Sequence, residues 1–240
     1  MRDWNGATSN GVLAALAPGD LERLRPDLEP VELPLRMRLA AANRPIEHVY
    51  FPESGIASIV TGVGHDIPIE VGIIGREGLV NLPVVTGADR SPNEAFMQSP
   101  GQGHRIGAER LQAAMEASPA LTRVLLHFVH VFMMQTASTV LANGRASIPE
   151  RLARWLLMAH DRVDGDTLHS THQFLSIMLG VRRSSVSTAL RDFEARRVIS
   201  RRRGSVSIRD RDGLVALARG YYGTAERELE RLYATSAKLR

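Results

Sequence analysis

The 240-residue chain is 44% hydrophobic and 23% charged, with 20 glycines and 12 prolines, an ordinary globular composition that excludes collagen, disorder and a disulfide scaffold and, at roughly 100–200 residues per domain, favours two domains. It has no cysteine, which excludes disulfides, zinc thiolate sites, cysteine-ligated iron–sulfur clusters and thiol nucleophiles. The net charge of +4 is unevenly divided: residues 1–170 hold 15 Arg against 19 acidic residues, a balance of −4, and residues 171–240 hold 14 Arg and one Lys against 7 acids, a balance of +8.

The start of the chain has only a short apolar stretch, Val12 to Ala17, stopped by Pro18 and followed by acids. It lacks the pattern of a signal peptide, and a cytoplasmic protein with no membrane partner is expected. Residues 10–26 read as a short helix on Leu13, Leu16, Leu21 and Leu24, with Pro18-Gly19-Asp20 capping a second turn. Beyond Pro30, short apolar runs at 49–51, 56–60 and 67–74 alternate with turn residues, and 95–97 and 104–106 add weaker ones. Several closely spaced strands imply a roll or barrel, followed by a helix over 108–117.

Ser118-Pro119 reads as a helix cap and first position. From there Leu121, Val124, Leu125, Phe128, Val131, Phe132, Gln135, Ser138, Thr139 and Ala142 form one stripe, up to a stop at Asn143-Gly144. A helix of about 25 residues would span roughly 37 Å. Residues 121–142 come near a membrane-spanning length, but Arg123, His127, His130 and Gln135 interrupt them. The opposite face carries Leu126, Val129, Met133 and Met134. One side is therefore expected on its own domain and another on a second subunit, with Leu121, Val124, Leu125, Phe128, Val131, Phe132, Gln135 and Thr139 at the seam. A fully buried helix in one large domain is the alternative. A further helix over 150–162, with Leu152, Trp155, Leu156 and Ala159 inward, leads through Asp164-Gly165-Asp166 into the basic end.

That end carries the informative pattern. Thr171 caps a helix whose inward residues are Phe174, Leu175 and Met178; Leu179-Gly180-Val181 turns the chain; a second helix buries Val186, Ala189, Leu190 and Phe193. Two short helices joined through a glycine are a helix-turn-helix, whose second helix puts its N-terminal residues on base edges in the major groove. Here that end displays Arg182, Arg183, Ser184, Ser185, Ser187 and Thr188 without an acid. Residues 198–208 then alternate around Gly204 as a hairpin with Arg201, Arg202 and Arg203 near its tip, a wing placed to meet phosphate. Between Arg182 and Arg211 ten arginines face three acids, where a merely solvated surface would interleave the signs. With Thr171, His172 and Arg191, these are the candidate DNA-binding residues.

The order of short helix, β-roll, long helix and winged helix-turn-helix resembles the Crp/Fnr superfamily of bacterial transcription regulators over nearly the whole chain. The resemblance implies an α+β fold: a β-roll, jelly-roll-like sensor over 1–117, a dimerisation helix over 118–144 and a winged helix-turn-helix domain over 145–240. It also implies a homodimer on double-stranded DNA, with RNA polymerase as a further partner. Where the family often shows an Arg-Glu-Thr-Val-Ser-Arg run, this chain has Arg183-Ser184-Ser185-Val186-Ser187-Thr188. Arg183 matches the base-reading arginine and Ser185 the phosphate-binding hydroxyl. Ser184 and Thr188 stand where the family has a glutamate and an arginine, which leaves the half-site read by this chain open. Phe51-Pro52-Glu53-Ser54-Gly55 and Gly72-Ile-Ile-Gly75-Arg76-Glu77-Gly78 are similar to the sensor of one branch.

Relatives that bind a cyclic nucleotide use a Gly-Glu and an Arg-Ser pair, for which Gly75, Glu77, Arg90 and Ser91 stand here with altered spacing and Pro92 following. Cyclic nucleotide and haem stay open as ligands, the latter through His127 and His130 with Met133 and Met134 nearby; an iron–sulfur cluster is excluded. His48, His65, His104, His160, His169 and His172 show no metal-ligand spacing, and no metal site is expected. No GxxxxGK, GxSxG or strand-linked GxGxxG occurs and no His–Asp pair attends Ser184 or Ser185, so no enzyme is expected. The rival reading is a ligand-gated or haem-gated sensor or interaction protein whose basic end serves another partner.

Overall fold

The computed structural model describes residues 8–62 and 68–238. Ile67, the expected start of one strand, and His65 lie outside the described residues. The chain divides into two compact units, one built of Met1–Ala57, Ile74–His130 and Leu229–Arg240, the other of Ser58–Ile73 and Val131–Glu228. Residues 58–73 and the second half of the long helix thus group with residues 145–228 rather than with the remaining strands, a division different from the expected boundaries at 117 and 144.

In the first unit α1 (Gly11–Ala15) starts at Asn10, whose side chain accepts the Leu13 N–H at 3.1 Å. It is a separate helix from α2 (Pro18–Leu24). The single helix expected over 10–26 is broken because Pro18 forces the residue before it out of the helical region, and Ala17 accordingly has ψ 148°. Along the chain strands β1 (Glu29–Leu33), β2 (Arg38–Ala40), β3 (His48–Pro52), β4 (Ile56–Thr61), β5 (Ile69–Ile74), β6 (Glu94–Ser99) and β7 (Gly101–Gly107) follow, most of β4 and β5 falling in the second unit. The order β1-β7-β3 makes one antiparallel sheet, with Val31 opposite Gly103 and His104 opposite Phe51. The order β2-β6-β4-β5 makes another. Strand β1 escaped the sequence reading because it is mostly exposed and carries Pro30, which an edge strand tolerates. Val49, Phe51, Ala57, Met97 and Ile106 are buried in the strand core. Helix α3 (Ala108–Ala117) closes this part.

Helix α4 (Pro119–Arg145) has 27 residues and begins where the Ser118 hydroxyl accepts the Leu121 N–H at 3.2 Å. It runs past the expected stop at Asn143-Gly144, and the Ala146 N–H still reaches the Ala142 carbonyl at 2.9 Å. What ends it is the start of α5 (Ile148–His160): Ser147 and Glu150 close a capping box, the Ser147 N–H donating to Glu150 Oε2 at 2.7 Å. Among the described residues α4 alone is long and apolar enough to cross a membrane.

The expected subunit seam requires correction. Leu121, Val124, Leu125, Phe128, Val131 and Gln135 are buried by their own chain, and Phe132 and Thr139 are half-buried. Within the first unit the Phe128 ring occupies the space that a Cβ on Gly78 would need. Within the second, Phe132 and Gln135 pack on Gly72, and Gln135 accepts the Ile73 N–H at 2.7 Å and donates to its carbonyl at 3.1 Å. The apolar residues left open are Leu126, Met133, Val140 and Leu141, each more than 40% exposed.

In the second unit α5 is followed by β8 (Thr167–His169), α6 (His172–Met178), α7 (Arg183–Ala195), β9 (Ile199–Arg202), β10 (Ser205–Ile208), α8 (Arg211–Leu217) and α9 (Thr224–Lys238). The strands form a sheet in the order β8-β10-β9, β8 being a third strand that its three residues did not announce. Leu152, Leu156, Leu175, Val186, Leu190, Phe193, Val206 and Leu214 are buried in its core.

Candidate nucleic-acid interface

Thr171 caps α6, its hydroxyl accepting the Phe174 N–H at 3.1 Å. Gly180 turns the chain with φ +60°, a left-handed conformation that favours glycine. Helix α7 then presents its first turns outward. Its buried face is Val186, Ala189, Leu190 and Phe193. Arg182, Arg183, Ser184, Thr188 and Arg191 are exposed on the other side, and Ser185 is half-buried. No side chain caps the helix at Arg182. Its N-terminal N–H groups and dipole therefore add to the positive field where a phosphate would sit.

Ser187 and Arg201 are placed differently from the rest. The Ser187 hydroxyl lies 2.9 Å from His172 Nδ1, joining α7 to the start of α6. Burial, with the nearby Arg201 and Arg183 charges, pushes the imidazole pKa of His172 down. Arg201 is bound to Glu194 of α7: its backbone N–H donates to Oε1 at 3.0 Å, and its Nε and Nη2 donate to Oε2 at 2.9 and 2.5 Å. The pair holds the Glu194 carboxyl below the usual range. It also fixes the hairpin against the helix, leaving Arg202 and Arg203 exposed around Gly204 at the tip. Glu194 was not singled out by sequence because its partner lies seven residues away, across a turn.

A second polar cluster holds the scaffold. Arg211 of α8 donates to Asp161 at 2.6 Å and to Tyr222 Oη at 2.7 Å, Tyr222 donates to Asp161 at 2.7 Å, and Arg211 Nη1 meets His160 Nδ1 at 2.8 Å. The end of α5 is thereby tied to the segment after the wing.

The four candidate effector residues are all engaged locally. The Glu77 carboxylate accepts the Gly75 N–H at 3.1 Å, and the Glu77 carbonyl accepts from Tyr233 Oη on α9 at 2.7 Å. Arg90 pairs with Asp89 at 2.8 Å in an exposed position, and the Ser91 hydroxyl accepts the Asn93 N–H at 3.0 Å. Of the haem candidates, His127 is half-buried and His130 exposed. Among the described residues no group of three or more His, Asp or Glu is arranged to hold a metal ion.

Residues 150–217 match the Crp-like helix-turn-helix domain family. The chain is similar in fold to FixK2 from Bradyrhizobium japonicum, with a TM-score of 0.70 at 15% identity over 79% of this chain and 96% of that one. It is also similar to TTHB099, a transcriptional regulator of the CRP family from Thermus thermophilus (0.67, 14% identity, 79% and 97%). The c-di-GMP responsive global regulator CLP of Xanthomonas campestris scores 0.64 at 18% identity over 87% and 100%. No curated protein matches the chain.

Proposed function

We propose that this chain, a Crp-like helix-turn-helix domain carried on a Crp/Fnr-type fold, is a homodimeric, sequence-specific DNA-binding transcription regulator of the cytoplasm. The observation that carries the reading is the outer face of α7: Arg182, Arg183, Ser184, Thr188 and Arg191 are exposed together without an acid among them, beside the exposed Arg202 and Arg203 of the wing. Arg183 would read a base edge by its bidentate fork, the hydroxyls and wing arginines would hold phosphate, and Thr171 and His172 would flank the groove.

A dimer is supported by the open row on α4. Leu126, Met133 and Val140 recur every seven residues and remain exposed, the period of a two-stranded seam. Two recognition helices related by that seam would enter successive major grooves about 34 Å apart on a near-palindrome. The roll would sense a signal, and the bound dimer would act through RNA polymerase.

Selection of duplexes from a random pool tests this reading. A selected duplex should be preferred over random DNA, and affinity should fall by about 10³–10⁵ between 50 and 200 mM salt if roughly 6–10 phosphates are neutralised. Binding that follows salt but ignores sequence would leave only a polyanion-binding module.

A further inference from the structure

The second unit encloses a carboxylate that the DNA-facing surface does not use. Glu70 of β5 is 5% exposed. Its Oε2 accepts from Ser58 Oγ on β4 at 2.5 Å, and its Oε1 accepts from Trp155 Nε1 on α5 at 2.7 Å. The Ser58 hydroxyl, fully buried, also lies 3.6 Å from Met178 Sδ at the end of α6, the first helix of the helix-turn-helix. A serine hydroxyl has one proton. Ser58 can therefore donate to Glu70 or to Met178, but not to both at once.

The surroundings place this choice near neutrality. Burial raises the Glu70 carboxyl to about 7, against the opposing bonds from Ser58 and Trp155 and the charges of Arg154 on α5 and Arg162 just beyond it. Arg154 is itself engaged, donating to the Tyr221 and Gln135 carbonyls at 3.0 and 3.2 Å, and it also feels the charge of Glu226 on α9. Thr139 and Asn143 of α4 and Arg151 of α5 line a cavity of about 20 Å³ next to Glu70, room for one water through which a proton can arrive. The Trp155 ring in turn meets Phe174 of α6 edge-on, with centroids 6.2 Å apart. Both oxygens of Glu70 thus lead, through one intermediate side chain each, to α6.

We propose that Glu70 and Ser58 form a proton-operated latch on the helix-turn-helix. With Glu70 ionised, Ser58 donates to Oε2. When Glu70 takes one proton from solvent, its new O–H donates to Ser58 Oγ and the Ser58 proton turns to Met178 Sδ, tying β4 to α6. The protonated form carries no charge on the Glu70 carboxyl, with Arg154 held by its two carbonyl acceptors, and is the tighter DNA-binding state. The regulatory consequence rests on the DNA-binding reading above; the titration itself does not.

The test has two arms. In the first, Trp4→Phe leaves Trp155 as the only tryptophan of the two in the chain, and its emission is followed from about pH 5.5 to about pH 8.5 without DNA. A transition near the Glu70 value is expected, absent in Glu70→Gln and moved upward in Ser58→Ala, which removes a donor that favours the charged form. In the second, affinity for the selected duplex should be about fivefold or more higher at about pH 6 than at about pH 8 in the wild type, and should lose that difference in Glu70→Gln. His172 titrates in both proteins, so the comparison isolates Glu70. No Trp155 transition, or one unchanged in both variants, overturns the latch. Sequence-specific binding with the same pH profile in wild type and Glu70→Gln overturns its regulatory role alone. A Trp155 transition with no sequence-specific DNA binding at any pH overturns the DNA reading instead. Ser58→Ala carries the test if Glu70→Gln does not fold.

Discussion

Arg201 of the wing donates to Glu194 of the recognition helix from its backbone N–H and from its guanidinium, at 3.0, 2.9 and 2.5 Å. Three bonds between a hairpin and the helix beside it set the angle at which Arg202 and Arg203 are offered to a phosphate backbone. The wing is therefore part of the helix's orientation, not an independent arm.

Glu194→Gln should loosen that angle. Amide exchange in residues 199–208 is expected to accelerate, and affinity should fall by a similar factor for preferred and random DNA. The Glu194 carboxyl is held below its usual range by Arg201, so the clamp is complete above the ordinary carboxylate pKa and is lost as pH falls through the lowered value. A loss of protection on acidification in the wild type, measured against the intrinsic exchange rate at each pH and absent in the variant, checks the sign.

Arg183 and Arg202 should behave differently from each other. Arg183→Ala should cost about 1–3 kcal/mol on the preferred duplex and relax the preference at one base pair. Arg202→Ala should weaken all sequences alike and reduce the salt slope by about one. Competition binding against single-base variants of the selected duplex separates the two; equal losses on specific and random DNA for Arg183→Ala would remove it from base reading.

The two faces of α4 make opposite predictions. Met133, 64% exposed in the row with Leu126 and Val140, should tolerate Met133→Glu in the folded chain yet dissociate the dimer in sedimentation. Phe128, 2% exposed with its ring over Gly78, should instead lose about 3–5 kcal/mol of stability on Phe128→Ala. A Met133→Glu protein that sediments as the wild type would place the subunit contact elsewhere.

Glu70 should leave a mark on stability. Its folded pKa, about 7, stands above its ordinary value of 4.5. The folded protein therefore holds the proton more tightly than the unfolded chain does. The stabilisation is full below the ordinary value and disappears as pH rises through 7, a change of roughly 3 kcal/mol at 1.36 kcal/mol per pKa step. Thermal unfolding at about pH 6 and about pH 8 should show about 1.4 kcal/mol of this fall in the wild type and its loss in Glu70→Gln; a parallel fall in both would assign it to other groups.

Much of the DNA-binding half could be read from sequence because its signals are local. Thr171 before an apolar face, Gly180 in the turn, the Val186-Ala189-Leu190-Phe193 spacing and the paired runs around Gly204 each involve residues within a few positions of one another. The arginine excess of the last 70 residues likewise follows from composition and needs no coordinates.

The orientation of α4 could not be read that way. Both its faces are apolar, and helical periodicity has no means to say which row meets the strands and which stays open. That was decided by Gly72 and Gly78, whose missing side chains admit Phe132 and Phe128, and by Gln135 satisfying both backbone groups of Ile73. Those partners lie about 50 to 60 positions earlier in the sequence. The same holds for Glu70, whose solvent exclusion depends on Ser58, Trp155 and Met178 converging from three elements. Sequence by itself determined the helix-turn-helix, the wing and the separation of charge, since these arise from neighbours along the chain. Only the tertiary structure decided which side chains are shut away from water, because burial depends on residues that folding alone brings together.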